Sequence, residues 1–188
     1  RPVGYGCVLV RVALACLLVQ TRSQWMHAVG EVQFAVNCRS GVDQVQMLVQ
    51  MALEAFQGAA AFSADVVNAF GMMDRRAIRA ALCADPALHP FLAVFDMLYT
   101  NQHGERWMYD DVEAEPQVLL SRRGVRQGCP LGMLLFCVTM SPIYNRLSQM
   151  MGPDGLFTGF ADDTFGIGPP PVVAAALQEL SPLYKPLS

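Results

Sequence analysis

The sequence predicts an α+β chain with an antiparallel sheet backed by helices. Two observations carry that expectation. Short glycine-punctuated segments rich in small, β-branched and aromatic residues lie at 59–66 and on both sides of Phe160-Ala161-Asp162-Asp163, the pattern of strands and a tight hairpin. Longer apolar segments with helical start and stop signals occupy most of the remainder. The order helix, strand, helices, hairpin, helix, hairpin, helix places the helices on one face of the sheet.

Taken in order, residues 8–28 read as one helix, apolar on most faces. Cys7 to Val19 is only about half the length that a membrane span requires, and Arg11 interrupts it, so a buried helix of a soluble domain is expected. Residues 31–39 read as irregular. Ser40-Gly41-Val42-Asp43 opens a helix to about Phe56, with Gly58 as its stop, and Met47 and Met51 as core filler. Ala59 to Val66 is an unbroken run of small and apolar residues around Asp65, read as a buried strand. Asp74 is placed to cap a helix from Arg75 to about Cys83, whose Arg75 and Arg79 share a face expected to be solvated. Pro86 and Pro90 open a helix through Tyr99. Glu105–Tyr109 and Gln117–Ser121 read as a hairpin around the acidic loop Asp110–Glu115. Gly128-Cys129-Pro130 leads into a long helix, with Pro130 near its first position and Pro142 as a kink. Pro169-Pro170-Pro171 precedes a last helix, Val172 to Tyr184.

The composition bounds the function. At 188 residues the chain fits one domain, or a domain plus part of another. It is 53% hydrophobic and 15% charged, enough apolar surface for a sizeable core. The net charge of −3 argues mildly against a general nucleic-acid binder, though a local basic patch is compatible with it. The six cysteines form no CxxC pair and read as reduced, mostly buried thiols of an intracellular protein. Arg1 rather than Met opens the sequence, which reads as a piece of something longer.

The chemistry concentrates at Asp162-Asp163. Two adjacent carboxylates repel each other and favour a cation, and Mg²⁺ prefers one or two carboxylates plus substrate phosphates. Asp65, at a strand end, is the candidate third acid. Three such acids can hold two Mg²⁺ ions about 3.5–4 Å apart for phosphoryl or nucleotidyl transfer. Between them lies Arg122-Arg123-Gly124-Val125-Arg126-Gln127-Gly128-Cys129-Pro130-Leu131, where glycines allow close backbone approach, arginines offer charge to phosphates and Gln127 can pair with a base or sugar.

These segments, in this order, resemble the palm motifs of reverse transcriptases, most closely those of non-LTR retrotransposons. Phe62 to Phe70 is similar to the first palm motif, an aspartate followed by an aromatic. Gly124 to Leu131 with Leu134-Leu135-Phe136 is similar to the family's Gly-Val-Arg-Gln-Gly segment and its helix. Phe160-Ala161-Asp162-Asp163 resembles the aromatic-x-Asp-Asp box. Arg1-Pro2-Val3 and Gln33-Phe34-Ala35-Val36 resemble preceding fingers segments. The resemblance implies a polymerase palm over 59–188 with part of the fingers in 1–58, and no thumb. It implies RNA-directed DNA synthesis with Asp65, Asp162 and Asp163 as catalytic metal ligands and Mg²⁺ (two ions, or Mn²⁺) as cofactor. Phe70 would be the steric gate against a 2′-hydroxyl, and Arg126, Gln127 and Gly128 would line the nucleotide and template. Implied partners are an RNA template, a DNA primer and deoxynucleoside triphosphates, with no membrane, inside the cell and in the nucleus for an active retroelement.

Gly71 and Cys129 depart from the residues common in the family, and Lys185 is the only lysine. These departures sustain a second reading, an inactive or truncated relic with at most nucleic-acid binding. A template-free palm enzyme such as a cyclase is disfavoured by the template-facing Gly124–Leu131 segment.

Overall fold

The computed structural model describes residues 7–36, 38–66, 68–99, 105–109 and 117–184. Arg1-Pro2-Val3, the acidic loop Asp110–Glu115 and Lys185 lie outside the described residues. The helices are α1 (Val8–Gln20), α2 (Arg22–Trp25), α3 (Gly41–Ala55), α4 (Ala69–Met72), α5 (Arg75–Ala84), α6 (His89–Tyr99), α7 (Gly132–Met151) and α8 (Pro170–Tyr184). The strands are β1 (Ala60–Asp65), β2 (Glu105–Tyr109), β3 (Gln117–Ser121), β4 (Leu156–Phe160) and β5 (Asp163–Gly168), with single 3₁₀ turns at Met26–Val29 and Pro86–Leu88.

An antiparallel sheet of order β1-β5-β4 forms the centre, and β2 and β3 pair separately as an antiparallel hairpin. Register fixes the faces, because directly opposed residues project to the same side. Phe62 and Phe157 both oppose Gly166. Phe157 meets Tyr144 of α7 edge-on at 5.4 Å, so this face lies on the main core with α7 and α8. That core holds Leu134, Leu135, Phe136 and Leu147 of α7, Val173, Ala176 and Leu180 of α8, and Ile78, Leu82, Phe91 and Phe95 of α5 and α6. Arg146 and Glu179 tie α7 to α8 at 2.7 Å. The sheet is covered on its other side too: α3 lies against β4 and β5, on the face of Phe160 and Ile167, where Val45, Ala52 and Ile167 are buried apart from the main core. The expectation of helices on one face is therefore corrected to helices on both.

Further expectations change. The helix foreseen over 8–28 breaks at Thr21, whose backbone N–H (3.0 Å) and hydroxyl (2.6 Å) both donate to the Leu17 carbonyl. The side chain competes for the carbonyl that would continue the helix. The first helix is also not buried. Only Leu14 of α1 is fully enclosed, while Val8 and Leu9 are 68% and 79% exposed; apolar residues surround the axis, but one stripe alone meets the core. Met47 and Met51 face outward rather than filling the core, and of the six cysteines, expected to be mostly buried, Cys137 alone is. Pro130 lies in a turn two positions before Gly132, near the start of α7 as expected, and Pro142 lies inside that helix. No single helix among the described residues is long and apolar enough to cross a membrane.

Asp74 caps α5 as the sequence indicates, its carboxylate accepting from the Arg76 N–H at 2.8 Å. The Arg76 side chain and this backbone bond hold the carboxyl below its ordinary value of 3.8. Asp74→Ala is expected to lower stability by about 1 kcal/mol at neutral pH, measured by urea unfolding. Because the folded-state value is lowered, the difference should be full above that ordinary value and disappear as pH falls below it. A difference that persisted in acid would contradict the cap.

Candidate active site

The acidic end of the sheet is built by register. Asp65, the last residue of β1, opposes Asp163, the first of β5, so both carboxylates project from one face and one end of the sheet. Both are exposed. Thr164 Oγ1 donates to the Ala64 carbonyl at 3.1 Å and secures this pairing beside the acids. Phe160 also opposes Asp163, leaving Ala161 and Asp162 as a two-residue hairpin loop. Ala161 has a positive φ, +55°, the sign that the first corner of the primed two-residue hairpin turns requires. Glycine normally takes that first corner; an alanine there costs about 1–2 kcal/mol.

The strained corner is held from two sides. Gln33 Oε1 accepts from the Ala161 N–H at 2.8 Å, and Gln33 Nε2 donates to the Ala161 carbonyl at 3.1 Å. Tyr144 Oη donates to the same carbonyl at 3.3 Å. Gln33 is only 2% exposed. It is delivered by the segment 32–34, where the Phe34 N–H bonds the Gly159 carbonyl (2.9 Å) and the Gly159 N–H bonds the Val32 carbonyl (2.8 Å). Asp162, at the second corner, is near enough to Cys137 of α7 for its charge to act on the thiol. Burial pushes Cys137 up to about 12, and Asp162 adds in the same direction.

The loop before α7 docks onto the chain leaving β1. The Gly124 N–H bonds the Met73 carbonyl and the Val125 N–H bonds the Phe70 carbonyl, both at 2.8 Å. Gly124 sits at φ +68°, and a Cβ there would collide with the Phe70 and Gly71 carbonyls. Arg75 closes the dock. It is part-buried, not on the solvated face expected of it, and donates to the carbonyls of Gly124 (2.8 Å), Tyr99 (3.2 Å) and Arg123 (3.3 Å). Its guanidinium lies 5.1 Å from the Tyr99 ring centre and that of Arg126 5.8 Å, within cation–π range; the Tyr99 hydroxyl accepts from the Arg126 N–H at 3.2 Å. Arg79 does reach the surface, pairing with Asp96 at 3.0 Å.

Beyond this dock the Cys129 N–H bonds the Arg126 carbonyl at 3.0 Å, a turn with Gln127 and Gly128 at its corners. Gly128 has φ +102°, the sign that the third position of a type II turn requires. Gln127 and Gly128 are both exposed. Phe70 is half-buried and packs on Phe136 of α7, ring centres 5.1 Å apart, so its back is supported while Val125 fixes its backbone.

The donor chemistry suits Mg²⁺, a hard ion that takes one or two carboxylates and completes its shell with water and substrate phosphate. Asp65 and Asp163 supply such a pair by register. Among the described residues no three carboxylate, thiol or imidazole groups gather closely enough to hold an ion unaided. Sequence reasoning missed the work of Gln33, Tyr144 and Arg75. For Gln33 one signal existed, a single amide within the otherwise apolar stretch 32–36.

The fold is similar to that of a solved telomerase. The structure superposes on apo telomerase from Candida tropicalis truncated from its C-terminal domain, with TM-score 0.55 and 11% identity, over 87% of this chain and 36% of that one. A telomerase from Candida albicans, solved with a fragment of telomeric RNA, aligns over 92% of this chain and 31% of its own at TM-score 0.44 and 11% identity. No family model matches the chain. In sequence it is 34% identical over 103 residues, 55% of its length, to the retrotransposable element SLACS 132 kDa protein of Trypanosoma brucei gambiense, and spans 8% of that protein. The chain is thus similar in sequence, over about half its length, to a retrotransposon protein, and similar in fold to a telomerase.

Gly124→Ala is expected to destabilise the protein by about 2 kcal/mol or more through forbidden backbone and lost docking, read by thermal and urea unfolding. Wild-type stability would show that the 124–125 dock does not hold the loop.

Proposed function

We propose that the chain is the palm of a retroelement reverse transcriptase, with 1–58 contributing part of the fingers and 59–188 the palm. It extends a DNA primer on an RNA template. The primer 3′-hydroxyl loses its proton and its oxygen bonds the α-phosphorus of a deoxynucleoside triphosphate, while the bond to the β-phosphate oxygen breaks and pyrophosphate leaves. The observation that carries this reading is the register that sets Asp65 opposite Asp163 at one sheet end, together with a loop docked on Phe70 that presents Gln127. Similarity in sequence to the retrotransposable element protein and in fold to a telomerase supports it.

Asp65, Asp162 and Asp163 would hold Mg²⁺ (two ions, with Mn²⁺ as a substitute), which when bound supplies activation of the hydroxyl and neutralisation of the phosphates. The chain's own residues do the rest. Phe70, braced by Phe136, presents a rigid ring where a ribose 2′-hydroxyl would otherwise sit. Gln127 and Gly128 put a side-chain amide and bare backbone against base and template. Arg126, set over Tyr99, brings positive charge to the phosphates of that loop. The relic reading is favoured by the net charge of −3 and by the absence, among the described residues, of a group of three metal-ligating side chains; the same assay decides between the two.

Asp162→Asn in the full-length protein is expected to abolish primer extension on an RNA template with circular dichroism unchanged. Equal extension by the variant, or none by wild type, removes the catalytic reading. Phe70→Val is expected to raise ribonucleotide incorporation relative to deoxynucleotide by at least about tenfold, on the scale of a hydrophobic-pocket discrimination of about 1–3 kcal/mol. An unaltered ratio would show that Phe70 is core alone.

A further inference from the structure

We propose that Gln33 is a positioning residue for the reaction, acting through the Ala161–Asp162 turn; this rests on the reading above. Asp162 sits at the corner of a turn whose other corner, Ala161, holds the left-handed region at φ +55°. Left alone, an alanine there relaxes toward negative φ and carries the next residue with it. Gln33 opposes that relaxation at both backbone atoms of Ala161, accepting from its N–H at 2.8 Å and donating to its carbonyl at 3.1 Å. The amide is itself fixed. Its oxygen also accepts from the Ala35 N–H at 3.1 Å, and its backbone neighbours are bonded to Gly159 on the strand that leads into the turn. It is 2% exposed, so water cannot replace it. Tyr144 donates to the carbonyl, at 3.3 Å, whereas the N–H is held by Gln33. Gln33 touches no reacting atom; its role is to keep the Asp162 carboxylate aimed.

The test is a kinetic comparison of Gln33→Met, which keeps length and shape but forms neither bond. A misplaced catalytic group is expected to lower kcat about a hundredfold. The KM for the deoxynucleotide should change little, and the Mg²⁺ concentration for half-maximal rate should rise. Adding Ala161→Gly, which removes the penalty for positive φ, should recover most of the lost kcat and bring Mg²⁺ demand back toward wild type. Should Gln33→Met fail to fold, Gln33→Glu serves instead. Its protonated form reproduces one donor and one acceptor, so its rate relative to wild type should climb as pH falls. A folded Gln33→Met enzyme with wild-type kcat and Mg²⁺ demand overturns the proposal, as does a Gln33→Glu ratio that is flat with pH. Loss of kcat with unchanged Mg²⁺ demand and no recovery by Ala161→Gly overturns it too. Failure of the polymerase reading is distinguishable, since it appears as no template-dependent extension by the wild-type protein or as full activity of Asp162→Asn.

Discussion

The pairing of β1 with β5 is the constraint on which the site depends. These strands lie 100 residues apart in sequence, and antiparallel side chains alternate with a period of two. A slip of one residue would send Asp65 to the face opposite Asp163 and turn Phe62 out of the main core. The register is held against that slip by shape as well as by ladder bonds. Phe62 lies over Gly166, where a Cβ would occupy the ring's place, and Thr164 bonds across to Ala64. One glycine and one hydroxyl thus decide which face carries the acids.

The same economy appears in the loop before α7. Nothing in a short run of glycine, arginine and glutamine prefers a single shape. The shape is imposed by the carbonyls of Phe70 and Met73, which accept from Val125 and Gly124, and by Arg75, which gathers three more carbonyls. The segment that leaves Asp65 is therefore the mould for the segment that presents Gln127. Phe70 belongs to both, through its backbone to the loop and through its ring to Phe136.

Much of this was legible in the sequence. The acids, Phe70 and the Gln127–Gly128 pair are recognisable because their chemistry is local: charge beside charge, glycine where the chain must turn. Strand existence and the Asp74 cap followed from short-range pattern for the same reason. What could not be read were contacts whose partner lies far along the chain. Arg75 looked like any surface arginine until three carbonyls from other segments surrounded it. Gln33 looked like part of an irregular stretch, because its partner Ala161 is remote. The break at Thr21 was missed because a threonine hydroxyl is tolerated in most helices, and the choice between continuing and ending rests on small differences. The covering of both sheet faces was hidden likewise, since α3 precedes every strand and its sequence does not say which side it will take.

Gln33 and Ala161 are separated by 128 positions. Closing so long a loop costs conformational entropy before any contact repays it, and distant contacts slow folding more than local ones. The hairpin can pair and α7 can form from neighbouring residues alone. The corner that bears Asp162 then waits for the segment around Gln33 to return to it. Order in time thus runs opposite to order in synthesis: a segment made early completes the part made late, and a ribosome-bound chain that has not yet emitted β4 and β5 carries its first acid without the other two.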